Sequence, residues 1–105
     1  MPSAAPRLFP NEEKLLADFG RRLRLARLRR KLTTRVVAQR ANMARSTLQN
    51  AELGDPAVGL GTYIRLMSVL GLEGDVAKLA ADDIVGRKLQ DAELEPNEAR
   101  DERRA

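Results

Sequence analysis

Basic and small polar side chains are concentrated in one stretch of this sequence. Between Gly20 and Ala51 there is no Asp or Glu, although 15 of the 105 residues are acidic. Arg or Lys occupies positions 21, 22, 24, 27, 29, 30, 31, 35, 40 and 45, and the segment 41–54, "ANMARSTLQNAELG", is mostly small and polar. Cationic and hydrogen-bonding side chains bind phosphates, which repel acids. This stretch therefore offers the chemistry of binding to a polyanion.

The chain lacks the side chains that most catalytic and metal sites use. It contains no Cys and no His, which excludes disulfides, thiolate nucleophiles, the usual zinc sites and His-based acid–base catalysis. The adjacent acids Glu12-Glu13 and Asp82-Asp83 each resemble the start of a helix. No glycine-rich phosphate loop follows a predicted strand. We therefore expect no enzymatic activity, no metal and no cofactor.

The charge is divided unevenly along the chain. Residues 1–81 carry 14 basic and seven acidic side chains, whereas residues 82–105 carry five basic and eight acidic ones. We predict a loose N-terminal arm at 1–10, one domain at 11–81, and a charged tail at 82–105 that is partly disordered or binds a partner. The most apolar stretch, "LGTYIRLMSVLGL", is interrupted by Arg65 and is too short to span a bilayer. No signal peptide is evident, so a cytoplasmic protein is expected.

Hydrophobic periodicity predicts an all-α fold of five helices. Their expected ranges are 12–30, 34–40, 45–53, 60–70 and 75–80, and "DDIVGRKLQDAEL" in the tail favours a further short helix. Asn11 and Thr33 are suited to cap the first two helices, Gly20 could divide the first, and Gly54 is expected to end the third. The residues expected to face the core are Leu16, Phe19, Leu23, Ala26, Val37, Ala38, Ala41, Met43, Leu60, Tyr63, Leu66, Met67 and Leu70.

Two short helices joined by a tight turn, the second of them small and polar, are typical of helix-turn-helix proteins. The segment "LTTRVVAQRANMARSTLQNAELGDPAVGLGTYIRLMSVLGL" resembles the Cro/cI-type (XRE-like) helix-turn-helix family. Within that family, "GDPAVGLGTYIRLMSVLGL" followed by a charged tail is most similar to the HipB-type antitoxins, which accompany HipA-like kinase toxins. Three positions depart from the family pattern: Asn42 replaces a Gly, Ala44 a capping Ser or Thr, and Thr34 a Gln.

The resemblance implies a lambda-repressor-like DNA-binding domain, and it implies roles for particular residues. A recognition helix in the major groove would place Arg45, Ser46 and Asn50 at base edges. Thr34, Arg35, Thr47 and Gln49 would contact phosphates. Arg27 and Glu52 stand where this family commonly forms an ion pair between the first helix and the recognition helix. The expected partners are double-stranded DNA with an inverted-repeat operator and a second copy of the chain.

Simpler interpretations apply to some of these residues. Basic runs on helices are usually solvated faces, and residues 45–50 could be an ordinary surface helix, although that does not explain the interval without acids. Leu25 and Leu28 lie away from the predicted core side of the first helix. They are either two exposed leucines, which are common on surfaces, or a second contact surface for the tail or for a partner protein.

The tail and the dimer surface leave two functions open. Ile84, Val85 and Leu89 form an amphipathic turn that would bind a HipA-like kinase toxin or pack on Leu25 and Leu28. The dimer is expected to use Leu72, Val76 and Leu79. The first function is a transcriptional repressor that is also an antitoxin and regulates its own operon. The second is a free-standing transcriptional regulator without a toxin.

Overall fold

The computed structural model describes residues 5–93, and these residues form helices and turns without a strand. They divide into two compact units, the first ending at Gly74 and the second beginning at Asp75. The predicted all-α class is confirmed for this part of the chain. No helix within it is long and apolar enough to cross a membrane. The helices are α1 (Pro10–Arg29), α2 (Thr34–Arg40), α3 (Arg45–Glu52), α4 (Leu60–Val69), a 3₁₀-helix (Glu73–Lys78) and α5 (residues 84–93).

The first helix starts earlier than predicted. Its N-cap is Phe9, whose backbone N–H donates to the Glu12 carboxylate at 2.9 Å. Pro10 follows as the first helical residue, where its missing N–H costs nothing and its fixed φ suits the helix. The prediction of Asn11 as the cap was therefore wrong, because the proline belongs to the first turn and not to the arm.

Gly20 does not divide α1, contrary to the possibility raised by its sequence. It is buried where α1 crosses the end of α3, and a Cβ added there would lie 2.6–2.8 Å from backbone atoms of Ala51, Glu52 and Gly54. No side chain fits into that space. The glycine therefore allows the two helices to approach closely, and the helix continues through it.

The core of the first unit is formed by α1 to α4. Its buried apolar side chains are Leu23, Ala26, Val37, Ala38, Ala41, Leu48, Ala51, Tyr63, Leu66, Met67 and Leu70. Three residues predicted for the core, Leu16, Phe19 and Met43, are only partly buried. Leu60 was predicted to face inward but is 60% exposed, because it is the first residue of α4 and lies before the helix reaches the core.

Tyr63 joins α4 to the turn that follows α3. Its ring lies 5.2 Å from that of Phe19, and its hydroxyl donates to the Asp55 carbonyl oxygen at 3.1 Å. Burial, and to a smaller degree the negative charge of Asp55, raises the pKa of Tyr63 above its ordinary value of 10.0. The phenol thus stays protonated and holds the loop between α3 and α4 by a hydrogen bond.

The fifth predicted helix differs from the expectation. Glu73–Lys78 is a 3₁₀-helix rather than an α-helix at 75–80, which suits a short segment between two turns. The tail helix is present as α5, so six helical segments replace the predicted five within residues 5–93. Asp83 caps α5, since its carboxylate accepts a hydrogen bond from the Gly86 N–H at 2.9 Å. The arm residues 1–4 and the tail residues 94–105 lie outside the described residues.

Candidate nucleic-acid interface

Hydrogen bonds define both the start of α2 and the turn between α2 and α3. The Thr33 hydroxyl accepts from the Val36 N–H at 3.1 Å and fixes the start of α2. At the other end, the Met43 N–H donates to the Ala38 carbonyl oxygen at 2.9 Å. Asn42 adopts a φ of 54°, the left-handed conformation that asparagine tolerates better than most residues. Asn42, which stands where the helix-turn-helix pattern usually has Gly, is therefore accommodated in this tight turn.

One side of α3 is locked into the core. Leu48 and Ala51 are completely buried, and Glu52 is only 8% exposed. Ala44 precedes the helix in an extended conformation and provides no side-chain cap. Because burial on one side sets the rotation of a helix about its axis, the side chains on the other side must face solvent.

The solvent side of α3 presents four polar side chains together. Arg45, Ser46, Gln49 and Asn50 are all exposed. With 3.6 residues per turn, they lie at about 0°, 100°, 40° and 140° around the helix axis. We call these four residues the exposed face of α3. It contains one cation, one hydroxyl and two carboxamides, the groups that make hydrogen bonds to base edges.

The structure brings the three predicted base-contact residues onto this face and adds Gln49 to them. Gln49 lies between Arg45 and Ser46, so it has the same access as the residues expected to read bases. Thr47 is half-buried and lies about 100° beyond Ser46, away from the centre of the face. A helical projection of residues 45–52, drawn from the sequence, is enough to place Gln49 at the centre of this face.

The other two predicted phosphate contacts lie in the first turn of α2. Thr34 is half-buried and Arg35 is exposed. An exposed guanidinium at the start of a helix can contact a phosphate directly. The shorter Thr34 side chain offers a hydroxyl at the same end of α2.

Arg27 and Glu52 meet between α1 and the end of α3. Arg27 Nε donates to one Glu52 carboxylate oxygen at 2.6 Å and Nη2 to the other at 3.0 Å, so the pair is bidentate. Nη1 donates to the Leu32 carbonyl oxygen at 2.9 Å, just before the cap of α2. One guanidinium therefore ties the end of α1 to both helices of the helix-turn-helix.

Arg65 makes a second connection to the turn, which sequence reasoning missed. Its Nη1 donates to the Ala41 carbonyl oxygen at 3.3 Å, at the C-terminal end of α2. A cation suits that end of a helix because the carbonyl dipoles point toward it. Nothing in the local pattern around Arg65 predicts this contact, since its partner is 24 residues earlier in the chain.

The basic residues of α1 have different roles. Arg22 lies over the Phe19 ring, 5.9 Å from its centre, and Arg30 donates to the Ala26 carbonyl oxygen at 2.8 Å. Lys14 pairs with Asp18 nearer the start of the helix, but no acid within residues 5–93 forms an ion pair with Arg21, Arg24 or Arg29. Apart from Arg27, which pairs with Glu52, the cations of the basic interval form no ion pair within the described residues.

The apolar residues predicted to contact other proteins are mostly accessible. On α1, Leu25 is half-buried and Leu28 is 43% exposed. On α5, the side chains of Ile84, Val85 and Leu89 are 49%, 69% and 63% exposed.

The three residues predicted for the dimer surface differ in exposure. Leu72 and Val76 are half-buried, whereas Leu79 is 61% exposed. The Leu72 N–H donates to the Met67 carbonyl oxygen at 2.8 Å and so closes the end of α4.

Comparison with known proteins places this geometry in a family. A family model described as "Helix-turn-helix domain" matches residues 18–80, which is more than half of the chain. The match includes every residue of the exposed face of α3 and both members of the Arg27–Glu52 pair, and it ends before Ile84. No curated protein matches the chain.

Proposed function

The chain belongs to the helix-turn-helix domain family, and we propose that it is a sequence-specific DNA-binding repressor that acts as a homodimer. The observation that carries this proposal is the exposed face of α3. Its four hydrogen-bonding side chains stand in an interval of the sequence without acids. A slim polar helix fits the major groove, about 12 Å wide, where each base pair presents a distinct pattern of donors and acceptors.

Selection from random duplexes tests this function. The full chain is incubated with a pool of random double-stranded DNA, and the bound sequences are amplified over several rounds. An inverted repeat is expected, with half-site centres about one helical turn or a multiple of it apart, because a twofold dimer presents two copies of α3. Failure to enrich any sequence would contradict the proposal, and a single half-site would contradict the dimer.

Substitutions separate base contacts from phosphate contacts. Arg45→Ala should weaken binding to the selected site by about 1–3 kcal/mol and relax the preference at one base pair. Arg35→Ala should weaken binding to all DNA and reduce the salt slope by about one unit. Arg24→Ala is the matched control, since it removes the same charge from the exposed side of α1. Equal losses on selected and random DNA for Arg45→Ala would make that residue a phosphate contact.

We further propose that the protein is the antitoxin of a HipA-like kinase and represses the operon that encodes both. This role is supported by the resemblance of "GDPAVGLGTYIRLMSVLGL" to the HipB-type antitoxins and by α5. A helix of about ten residues is marginal in water by itself, and α5 exposes Ile84, Val85 and Leu89. These side chains are suited to anchor a protein partner, and Leu25 and Leu28 of α1 are separate candidates for such a contact.

Co-purification with a HipA-like kinase encoded next to this chain tests the antitoxin role. Replacing Ile84, Val85 and Leu89 with Ser should reduce capture of the kinase while leaving DNA binding near that of the wild type. Replacing Gln90 with Ser, on the other side of α5, is the control. Equal capture by wild type and the triple variant would remove α5 from the interface. Loss of DNA binding in the triple variant would assign α5 to the dimer, and no capture by the wild type would favour a free-standing regulator.

A further inference from the structure

Leu53 is the C-cap residue of α3, and it is an apolar residue on the polar side of that helix. It is 75% exposed, more than any other large apolar side chain in residues 5–93. It lies about 80° from Arg45 around the helix axis, between Gln49 and Ser46. Leu53 therefore extends the exposed face of α3 by a further turn with a side chain that offers no hydrogen bond.

The fold holds Leu53 in this outward position. Its N–H donates to the carbonyl oxygens of Gln49 and Asn50, both at 3.1 Å, which keeps it in register with the helix. On one side Glu52 is fixed by its ion pair with Arg27. On the other side Gly54 has a φ of 74° and is packed so closely on α1 that an added Cβ would lie 2.5 Å from a backbone oxygen. Because both neighbouring residues are buried against α1, the backbone of the turn directs the Leu53 side chain toward solvent.

The surroundings of Leu53 are also apolar. It lines a groove of about 380 Å³ together with Pro56 from the loop after α3 and with Pro6 and Leu8 from the arm. Arg7 and Glu13 complete its polar edge. The exposed face of α3 thus ends in an apolar patch rather than in a charge.

The major groove offers one apolar group that could pair with such a residue. Thymine carries a C5-methyl group there, and no other base of unmodified DNA does. We propose that Leu53 contacts a thymine methyl group and is a specificity-determining residue of this protein; the inference rests on the proposed DNA binding. Since Leu53 is eight residues after Arg45, it lies about 12 Å along the helix. The thymine is therefore expected three to four base pairs from the pair that Arg45 reads.

Replacement of thymine by uracil tests the contact directly, because it removes only the methyl group from the groove. After selection of the preferred inverted repeat, each thymine of a half-site is replaced in turn, and affinities of the full chain are measured. At one position, uracil should reduce wild-type affinity about fourfold, as expected for the loss of one buried methyl group. Leu53→Ala should bind the thymine and uracil duplexes equally. Leu60→Ala is the matched control: Leu60 is also 60% exposed but belongs to α4, so this variant should keep the fourfold difference.

The outcomes separate this inference from the function on which it rests. Absence of any enriched sequence would overturn both. An enriched repeat with no methyl-sensitive thymine, or a Leu53→Ala variant that retains the sensitivity, would overturn only the role of Leu53. If sedimentation showed Leu53→Ala to be monomeric where the wild type is a dimer, the residue would contact a second copy of the chain, and the thymine contact would be wrong.

Discussion

Replacing Glu52 with Ala should destabilise this protein far more than the loss of an ordinary ion pair. Glu52 and Arg27 are 8% and 7% exposed, and they share two hydrogen bonds of 2.6 and 3.0 Å. Without the carboxylate, the guanidinium remains buried with only the Leu32 carbonyl oxygen as a partner. Breaking a buried pair in this way typically costs about 3–5 kcal/mol. That is a large part of the about 5–15 kcal/mol that stabilises a typical domain.

Urea unfolding followed by circular dichroism measures this cost. The matched control is Asp18→Ala, which breaks the pair between Lys14 and Asp18. Its two atoms are 3.0 Å apart, but its side chains are 78% and 48% exposed. A pair of this kind within a helix contributes only about 0.3–0.5 kcal/mol. The two variants each remove one carboxylate, so their difference isolates the effect of burial.

A double variant tests whether the unpaired charge is the cause. Arg27→Met combined with Glu52→Leu removes both charges and keeps the volume filled, and it should recover much of the stability that Glu52→Ala loses. The reasoning is wrong if Glu52→Ala costs no more than Asp18→Ala. It is also wrong if the double variant is as unstable as Glu52→Ala. Affinity for the selected DNA should fall with Glu52→Ala, since the pair holds α3 against α1.

Three further predictions concern single positions. Gly20→Ala should lower the melting temperature, because the added Cβ would lie 2.6 Å from a backbone oxygen of α3. Gly61→Ala should raise it, because no atom lies within 4 Å of a Cβ added there and alanine favours a helix more than glycine does. The reverse order of melting temperatures would contradict the packing argument. Ala44→Thr should supply the missing cap of α3 and increase the free energy of unfolding by about 1 kcal/mol in urea titrations, and no increase would mean that the cap does not form. The raised pKa of Tyr63 means that its contribution to stability is complete below pH 10 and declines as the pH rises above that value. In a pH series of unfolding midpoints, Tyr63→Phe should therefore lose less stability above pH 10 than the wild type does. Identical pH profiles of the two proteins would refute this role of Tyr63.

The sequence by itself determined the local structure of this protein. Apolar residues at helical spacing predicted α1 to α4, Thr33 predicted the start of α2, and Gly54 predicted the end of α3. Each of these signals acts within a few residues, because helix periodicity, caps and left-handed turns depend on neighbouring side chains and backbone groups. The helix-turn-helix was recognisable for the same reason, since its two helices and turn are contiguous in the chain.

Only the tertiary structure determined which residues make contacts between one helix and another. From the sequence, Gly20 could divide α1, whereas in the structure the backbone of α3 lies against it and the glycine allows that close approach. Arg65 reads as a surface charge until its contact with the end of α2 is known. The sequence does not indicate that Leu53 is exposed. In the structure Glu52 and Gly54 on either side of it are both buried, and the Leu53 side chain therefore faces solvent. These properties depend on distances between segments far apart in sequence, and the spacing of residues along a chain does not contain such distances.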